Sequence, residues 1–354
     1  MLHTTGLTRP CSVSDGSAPP PPFSSTKEST TRPPPFHTQS VSIFDQCGYK
    51  QIFEAHIAVR HRIRHGRRAP PYLEVDMLVA GKFRVRKMLG GGGFGQIFEV
   101  FDEGLKKEVA IKLGPRDHEP GRIILEQKVI SALSGRPHFP QFLASGVFDD
   151  YNYIVMEMLG RNLSDLRKRE PGRRLSVGTV TRVGQQCIVA LKSLHDIGFI
   201  HRDIKPSNFC IGHGNKSHII YLIDFGMARR FRCSDGKIRK QRHYAGFRGT
   251  IRYVSVAIHE RKEPGPVDDL WSLFYSLIEL MEGTLPWTDI TDADEVAEIK
   301  NNIEFDKLAR REDLEMSCDG NPSQLFPLCI IRTGTLSAGH KPLSAIRNAT
   351  GPHQ

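Results

Sequence analysis

The sequence predicts an α+β chain in two lobes: a small antiparallel β lobe carrying one helix, then a larger, mostly helical lobe. Three observations predict it. Phe83, Val85 and Lys87 alternate with Arg84, Arg86 and Met88 ahead of a glycine cluster, which is the period of a strand. Val183, Cys187, Ala190, Leu191 and Leu194 fall on one face of a helix. The run from Leu270 to Met281 is apolar nearly all round, as in a helix buried in a core.

Taken in order, residues 1–75 read as a disordered tail. They are rich in Pro, Ser and Thr, with Pro19 to Pro22 and Pro33 to Pro35, and cannot bury enough apolar surface to offset ordering. The polyproline runs offer a ligand for an aromatic-groove domain. A basic stretch, Arg60, Arg62, Arg64, Arg67 and Arg68 with His61 and His65, closes the tail as a solvated run, a nuclear address or an anionic-surface contact. The β lobe spans 82–159: a strand from Lys82, the glycines, Ile97 to Phe101, then Glu108 to Leu113. A helix around Ile123 to Leu133 and a strand at Tyr153 to Met158 complete it. A hinge is expected near Leu159-Gly160, and the helical lobe covers 160–315. Asp268 and Asp269 suit the start of its apolar helix, where carboxylates cap open N–H groups. Residues 316–354 form an atypical tail with no amphipathic stretch, so a shortened helical lobe is expected, with the Leu270 to Met281 helix left partly uncovered.

Bulk composition excludes several classes. The chain of 354 residues is 39% hydrophobic and 25% charged, as a soluble globular protein is. It has no apolar run long enough to span a membrane and no secretory signal core at Met1 to Thr5. Seven cysteines without a Cys-x-x-Cys pair point to reduced thiols in the cytoplasm, the nucleus being the alternative, and away from structural zinc. The net charge of +10 leaves nucleic acid, anionic membrane or acidic proteins as partners, to be decided by where the charge sits.

The glycine cluster Gly90-Gly91-Gly92-Gly93-Phe94-Gly95 is ambiguous alone, because dinucleotide-binding turns share its pattern. A strand-like run follows it here, and a basic residue, Lys112, stands where that fold needs an acid. A glycine hairpin between strands lets main-chain N–H groups approach nucleotide phosphates. Lys112 ends Val109-Ala110-Ile111-Lys112, and Glu126 on the next helix is placed to balance it; alone, the two could equally be surface residues on unrelated faces.

They do not stand alone. His201-Arg202-Asp203-Ile204-Lys205-Pro206-Ser207-Asn208 and then Asp224-Phe225-Gly226 resemble the catalytic loop and metal-binding motif of protein kinases, in the expected order. The resemblance covers about Lys82 to Ile299 and is nearest to the casein kinase I group, in its tau-tubulin kinase branch. Lys205-Pro206-Ser207-Asn208-Phe209, Ala245 to Tyr253, Asp268 to Tyr275 and Leu285-Pro286-Trp287 carry it. Ser255-Val256-Ala257 stands where most kinases have Ala-Pro-Glu, a departure that this group shares.

The resemblance implies a two-lobed kinase fold and an ATP- and Mg²⁺-dependent serine/threonine kinase. In it Asp203 orients the acceptor hydroxyl and takes its proton, Lys205 meets charge on the transferred phosphoryl group, and Asn208 and Asp224 hold Mg²⁺. Leu89, Gly90, Gly92, Gly95, Ile97, Ala110, Lys112, Glu126, Met156, Glu157, Met158, Cys210 and Asp224 line the nucleotide site. Met156 is the gatekeeper, Glu157-Met158-Leu159 the hinge, and Cys210 with Ile223 the pocket floor, although plain core packing also accounts for the last two. Between Arg229 and Arg252 lie Arg230, Arg232, Lys237, Arg239, Lys240, Arg242 and Arg248, with only Asp235 against them. Arginine forks there favour acidic or phosphorylated protein substrates over nucleic acid. A catalytically dead scaffold is the alternative, disfavoured because Lys112, Asp203, Asn208 and Asp224 are all present.

Overall fold

The computed structural model describes residues 71–92, 95–116, 121–233, 235–303 and 308. The expected tail lies outside the described residues as far as 70, but its last residues are no tail: Leu73 is buried in the β-lobe core and Tyr72 stacks on Tyr151. The basic segment, the atypical C-terminal tail and the tip of the glycine cluster at 93–94 lie outside the described residues.

The β lobe is one six-stranded sheet. β1 (Leu78–Val79), β2 (Phe83–Gly92), β3 (Gly95–Asp102) and β4 (Lys107–Pro115) lie side by side, followed by β6 (Tyr151–Glu157) and, at the edge, β5 (Phe142–Phe148). β4 runs between two partners and is buried from Val109 to Pro115, so its apolar residues are continuous rather than alternating. β2 keeps the expected alternation only as far as Val85: a register shift between Val85 and Lys87 leaves Lys87 exposed beside Arg86 and turns Met88 onto the core. β1 and β5 were not foreseen. β1 is two residues long, and β5 carries Ala144, Ser145 and Gly146, poor strand formers that give no alternating signal.

α1 (Gly121–Leu133) buries Ile123, Glu126, Val129, Ile130 and Leu133 on one face. A carboxylate therefore shares the apolar stripe and is carried inward with it.

β7 (Leu159–Asn162) begins the second lobe at the expected hinge, followed by α2 (Leu163–Arg167) and α3 (Val177–Asp196). Ser176 starts α3 by accepting the Thr179 N–H, and the five residues predicted on one face are all buried. Two short sheets bracket the next segment: β8 (Phe199–Ile200) pairs with β11 (Arg229–Arg230), and β9 (Phe209–Gly212) lies between β7 and β10 (Ile220–Leu222). α4 (Val256–His259), α5 (Pro266–Glu282) and α6 (Ala293–Asn302) follow. Every residue of α5 from Ser272 to Met281 is buried, so the expectation of a partly bare helix is not met there. Trp287 and Lys300 cover Tyr275 on that helix, by an edge-on ring contact and a cation–π contact.

One core fills the outer β lobe around Phe83, Phe98 and Val155. The other runs from α1 and β6 through Phe139 and Phe225 to α3 and α5. It crosses the seam between the lobes and sets the site above it.

Candidate active site

β2 and β3 meet at the glycines. A Cβ on Gly95, at φ 140°, would lie 2.0 Å from the Leu113 carbonyl oxygen, so only glycine lets β3 approach β4 there. Cβ atoms on Gly90 and Gly92 would meet nothing within 4 Å, which leaves open space along that strand. Ile97 faces Lys112 across the β3–β4 ladder, and Ala110 faces Met156 across β4–β6.

Lys112 is 5% exposed and Glu126 2%. Lys112 Nζ lies 2.9 and 2.7 Å from the two Glu126 oxygens and 2.8 Å from Asp224 Oδ1. Burial alone would strip the lysine of its proton, but the carboxylates of Asp224 and then Glu126 more than offset this and hold it above its ordinary range. Burial raises Glu126, with Lys112 opposing. Asp224 is also pushed up by burial, yet Lys112 carries it down to about 2. The triad joins strand, helix and the Asp224-Phe225-Gly226 motif in one contact.

The predicted catalytic loop packs beneath. His201 Nδ1 accepts the Asp203 N–H at 3.3 Å, so Nε2 carries the proton and donates to the Ile223 carbonyl at 3.1 Å. Asp203 is 4% exposed. Its Oδ2 accepts from Lys205 Nζ at 2.6 Å and its Oδ1 from the Thr250 hydroxyl at 2.7 Å. Thr250 thus touches the catalytic loop. Asn208 donates its side-chain amide nitrogen to the Asp203 carbonyl at 2.8 Å, and its main-chain carbonyl accepts the Ile223 N–H, next to Asp224.

The remaining predicted nucleotide residues are placed as follows. Cys210 on β9 is buried, and burial pushes its thiol up to about 12. Met156 is buried, Met158 partly so, and Leu89 is an exposed side chain on β2. Glu157 departs from the simple hinge picture. Its carboxylate is held by Lys216 at 2.5 Å and its N–H donates to the Gln141 carbonyl, so any contact with a base must use its carbonyl.

Sequence reasoning missed three residues. Asp269 does not cap its helix; that work falls to Asp268, whose Oδ2 accepts the Gly265 N–H at 2.7 Å. Asp269 instead accepts the N–H groups of His201 and Arg202, and it meets His195 Nε2 at 2.9 Å. The paired aspartates were the available signal, and helix-start statistics alone could not separate them. Glu279 and Lys300, both buried, tie down the segment after Thr250 and carry no sequence signature. The basic cluster is also less open than its spelling suggested. Glu263 pairs with Arg229 at 3.0 Å and Arg242 at 2.6 Å, and Glu279 with Arg252 at 3.1 Å.

A six-stranded β lobe, a helix-borne glutamate on a strand lysine and a carboxylate-bearing loop below them define the catalytic domain of a protein kinase. The chain belongs to that family: residues 83–324 match the protein kinase domain. It is 43% identical over 234 residues to a Dictyostelium discoideum protein named "Probable serine/threonine-protein kinase", covering 66% of this chain and 47% of that one. It is 43% identical over 223 residues to a Caenorhabditis elegans "Putative casein kinase I" (62% of this chain, 65% of the relative). A second protein of that organism, a "Putative serine/threonine-protein kinase", is 38% identical over 251 residues (69% and 72%). The chain spans about half to two thirds of the length of the first two. The likeness to the casein kinase I group read from the motifs agrees with these relatives.

Proposed function

We propose that the chain transfers the γ-phosphoryl group of ATP to serine or threonine hydroxyls of proteins, preferring acidic or already phosphorylated ones. The observation that carries this reading is Asp203, buried and held by Lys205 and Thr250, on the same seam as the Lys112–Asp224 contact. Asp203 aligns the acceptor hydroxyl and receives its proton as the new O–P bond forms and the bond to the β-phosphate oxygen breaks. Lys205 moves its charge from Asp203 to the phosphoryl oxygens as negative charge builds there. Lys112, fixed by Glu126, holds the α- and β-phosphates under the open glycine strand.

Mg²⁺ supplies charge neutralisation across the phosphates when bound. Its fit rests on the donor set: Asp224 is held as a carboxylate, and Asn208 turns its amide nitrogen away and keeps an oxygen to offer.

The substrate preference is supported by Arg230, Arg232, Arg239, Lys240 and Arg248, exposed in the segment that follows Asp224-Phe225-Gly226. No helix among the described residues is long and apolar enough to cross a membrane. Three free cysteines among them support a reducing compartment, cytoplasmic or nuclear.

Transfer of labelled phosphate from ATP to an acidic serine peptide, run beside Asp203→Ala, tests the proposal. Wild type should label the peptide, and Asp203→Ala should bind nucleotide but label peptide more slowly by about 10²–10³-fold or more. Equal labelling by both, or nucleotide binding with no transfer by wild type, would overturn it.

A further inference from the structure

The segment from Thr250 to Ser255 leads directly away from the candidate catalytic carboxylate, so it lies where residues flanking an acceptor hydroxyl must pass. It is anchored at both ends, by Thr250 on Asp203 and by the Ser255 hydroxyl on Asp268 Oδ1 at 2.6 Å. Between the ends, Arg252 and Tyr253 both reach Glu279, at 3.1 and 2.6 Å, and Trp287 Nε1 donates to the Arg252 carbonyl at 2.8 Å.

One more anchor differs in kind. Lys300 on α6 is 3% exposed. Its Nζ lies 2.7 Å from the Ile251 carbonyl, 2.7 Å from the Val254 carbonyl and 3.3 Å from His259 Nε2. The rings of Tyr275 and Trp287 stand 5.1 and 5.3 Å from it. An ammonium has three N–H donors, and three acceptors surround this one. The two ring faces add cation–π attraction.

No carboxylate among the described residues pairs with Lys300, unlike Lys112. A buried ammonium without a counter-ion is costly, and an apolar side chain would fill the slot between the rings more cheaply. Its position is explained by what it holds: two carbonyls of one loop.

We propose that Lys300 is a positioning residue for protein substrate, whose ammonium fixes the Ile251 and Val254 carbonyls and so shapes the surface that receives residues beside the acceptor hydroxyl. This rests on the kinase reading above and adds the residue that sets its peptide site.

Charge on Lys300 is the controlling variable. Burial pulls it down to about 7, so the ammonium is lost across neutral pH. The groups facing it do not titrate there. His259, from α4, is brought down to about 4, first by burial and then by Lys300. Arg261 and Asp294 act on that histidine in opposite senses. Burial pushes the Tyr275 phenol, from α5, well above its ordinary range. Arg252, on the loop itself, is committed to Glu279.

The test measures KM for an acidic serine peptide and KM for Mg-ATP with the full chain, between about pH 6 and 8.5. In wild type the peptide KM should rise about tenfold across that range while the ATP KM stays level, as charge-assisted hydrogen bonds to the loop are lost. Lys300→Met should show the high value at every pH. Lys300→Arg, whose guanidinium does not deprotonate, should show the low value at every pH. A Lys300→Met peptide KM equal to wild type at the acid end overturns the inference, and so does a Lys300→Arg peptide KM as high as that of Lys300→Met. If Lys300→Met does not fold, Lys300→Gln, which keeps N–H donors without the charge, takes its place. A wild type that phosphorylates no peptide at any pH defeats the kinase reading itself, and the inference with it.

Discussion

Asp269 Oδ1 accepts the main-chain N–H of Arg202 at 2.9 Å, and Arg202 stands in the left-handed region at φ 68°. A long side chain rarely adopts that conformation, which costs on the order of 1–3 kcal/mol unless its surroundings impose it. Here they do. Asp269 also takes the His201 N–H and His195, and it projects from the helix most deeply buried in the α lobe. Burial raises its pKa, but the His195 hydrogen bond leads a set of contacts that bring it below the ordinary value. The turn that aims Asp203 is therefore bolted to the core by one carboxylate.

Asp269→Ala should accordingly lower both stability and turnover. Two main-chain donors lose their acceptor, at about 1–3 kcal/mol each. The freed turn lets Asp203 drift, and kcat should fall about 10²-fold with a smaller change in the ATP KM. Thermal unfolding and steady-state kinetics on one preparation check this. A variant that loses stability but keeps wild-type kcat would show that Asp269 serves the fold alone.

Lys112→Ala, Asp203→Ala and Asp224→Ala should each cut phosphoryl transfer by about 10²–10³ or more, because each removes preorganised charge or proton handling. Lys112→Ala has a second expected effect. Glu126, buried and already raised, loses its cation and takes up a proton at higher pH than in wild type. Carboxylate infrared bands followed against pH check this, and a Glu126 that stays ionised to the same pH as in wild type would contradict it.

The chemistry of the site was legible in the sequence because its side chains lie in short contiguous motifs. His201 to Asn208 and Asp224 to Gly226 each fold as one local turn, and Val109 to Lys112 is one strand. What was illegible depends on contacts between distant segments. Glu279 reads as a lone charge in an otherwise apolar helix and Lys300 as an ordinary charged helix residue, and only packing shows that they turn inward onto Arg252, Tyr253 and the Ile251 and Val254 carbonyls. The edge strand from Phe142 to Phe148 escaped notice because pairing with β6, not its own composition, makes it a strand. The arginine cluster misled in the opposite sense, since its partner Glu263 lies beyond the stretch in which charge was weighed.

Acidic peptides should still outcompete basic ones, through the arginines that Glu263 and Glu279 leave uncommitted. Arg239 and Lys240 are exposed, so their attraction is screened within about 8–10 Å at ordinary salt. Arg239→Glu with Lys240→Glu should raise the KM of an acidic peptide, and the difference from wild type should shrink as salt rises. A peptide array that favours arginine-rich sequences would remove the basis for this preference.

Activity should not require phosphorylation between Asp224 and Glu260. The hydroxyls there are those of Ser234, Tyr244, Thr250, Tyr253 and Ser255. Thr250, Tyr253 and Ser255 are engaged on Asp203, Glu279 and Asp268, and Ser234 lies outside the described residues. Exposed Tyr244 is the remaining described hydroxyl. Chain made in bacteria and treated with phosphatase should phosphorylate peptide at the untreated rate. A sample dead until it is phosphorylated would refute this.

The buried charge on Lys300 should also be visible in stability, with a definite sign. Its folded pKa of about 7 lies below the ordinary lysine value near 10.4. Between those two values the unfolded chain binds more protons than the folded one, so stability rises with pH, by at most about 1.4 kcal/mol per pH unit. The contribution is fully present above the unfolded value and is lost as pH falls through about 7. Other groups act in the opposite sense at the alkaline end, because burial also raises the thiols of Cys187 and Cys210 and the phenols of Tyr253 and Tyr275. Those groups are common to wild type and Lys300→Met, so the difference between the two proteins isolates the lysine. Denaturant unfolding at intervals between about pH 7 and 8.5 should show wild type gaining on Lys300→Met as pH rises, whatever their absolute stabilities. A constant difference would mean that Lys300 keeps its proton throughout, held by the Ile251 and Val254 carbonyls and the two rings more firmly than burial opposes it.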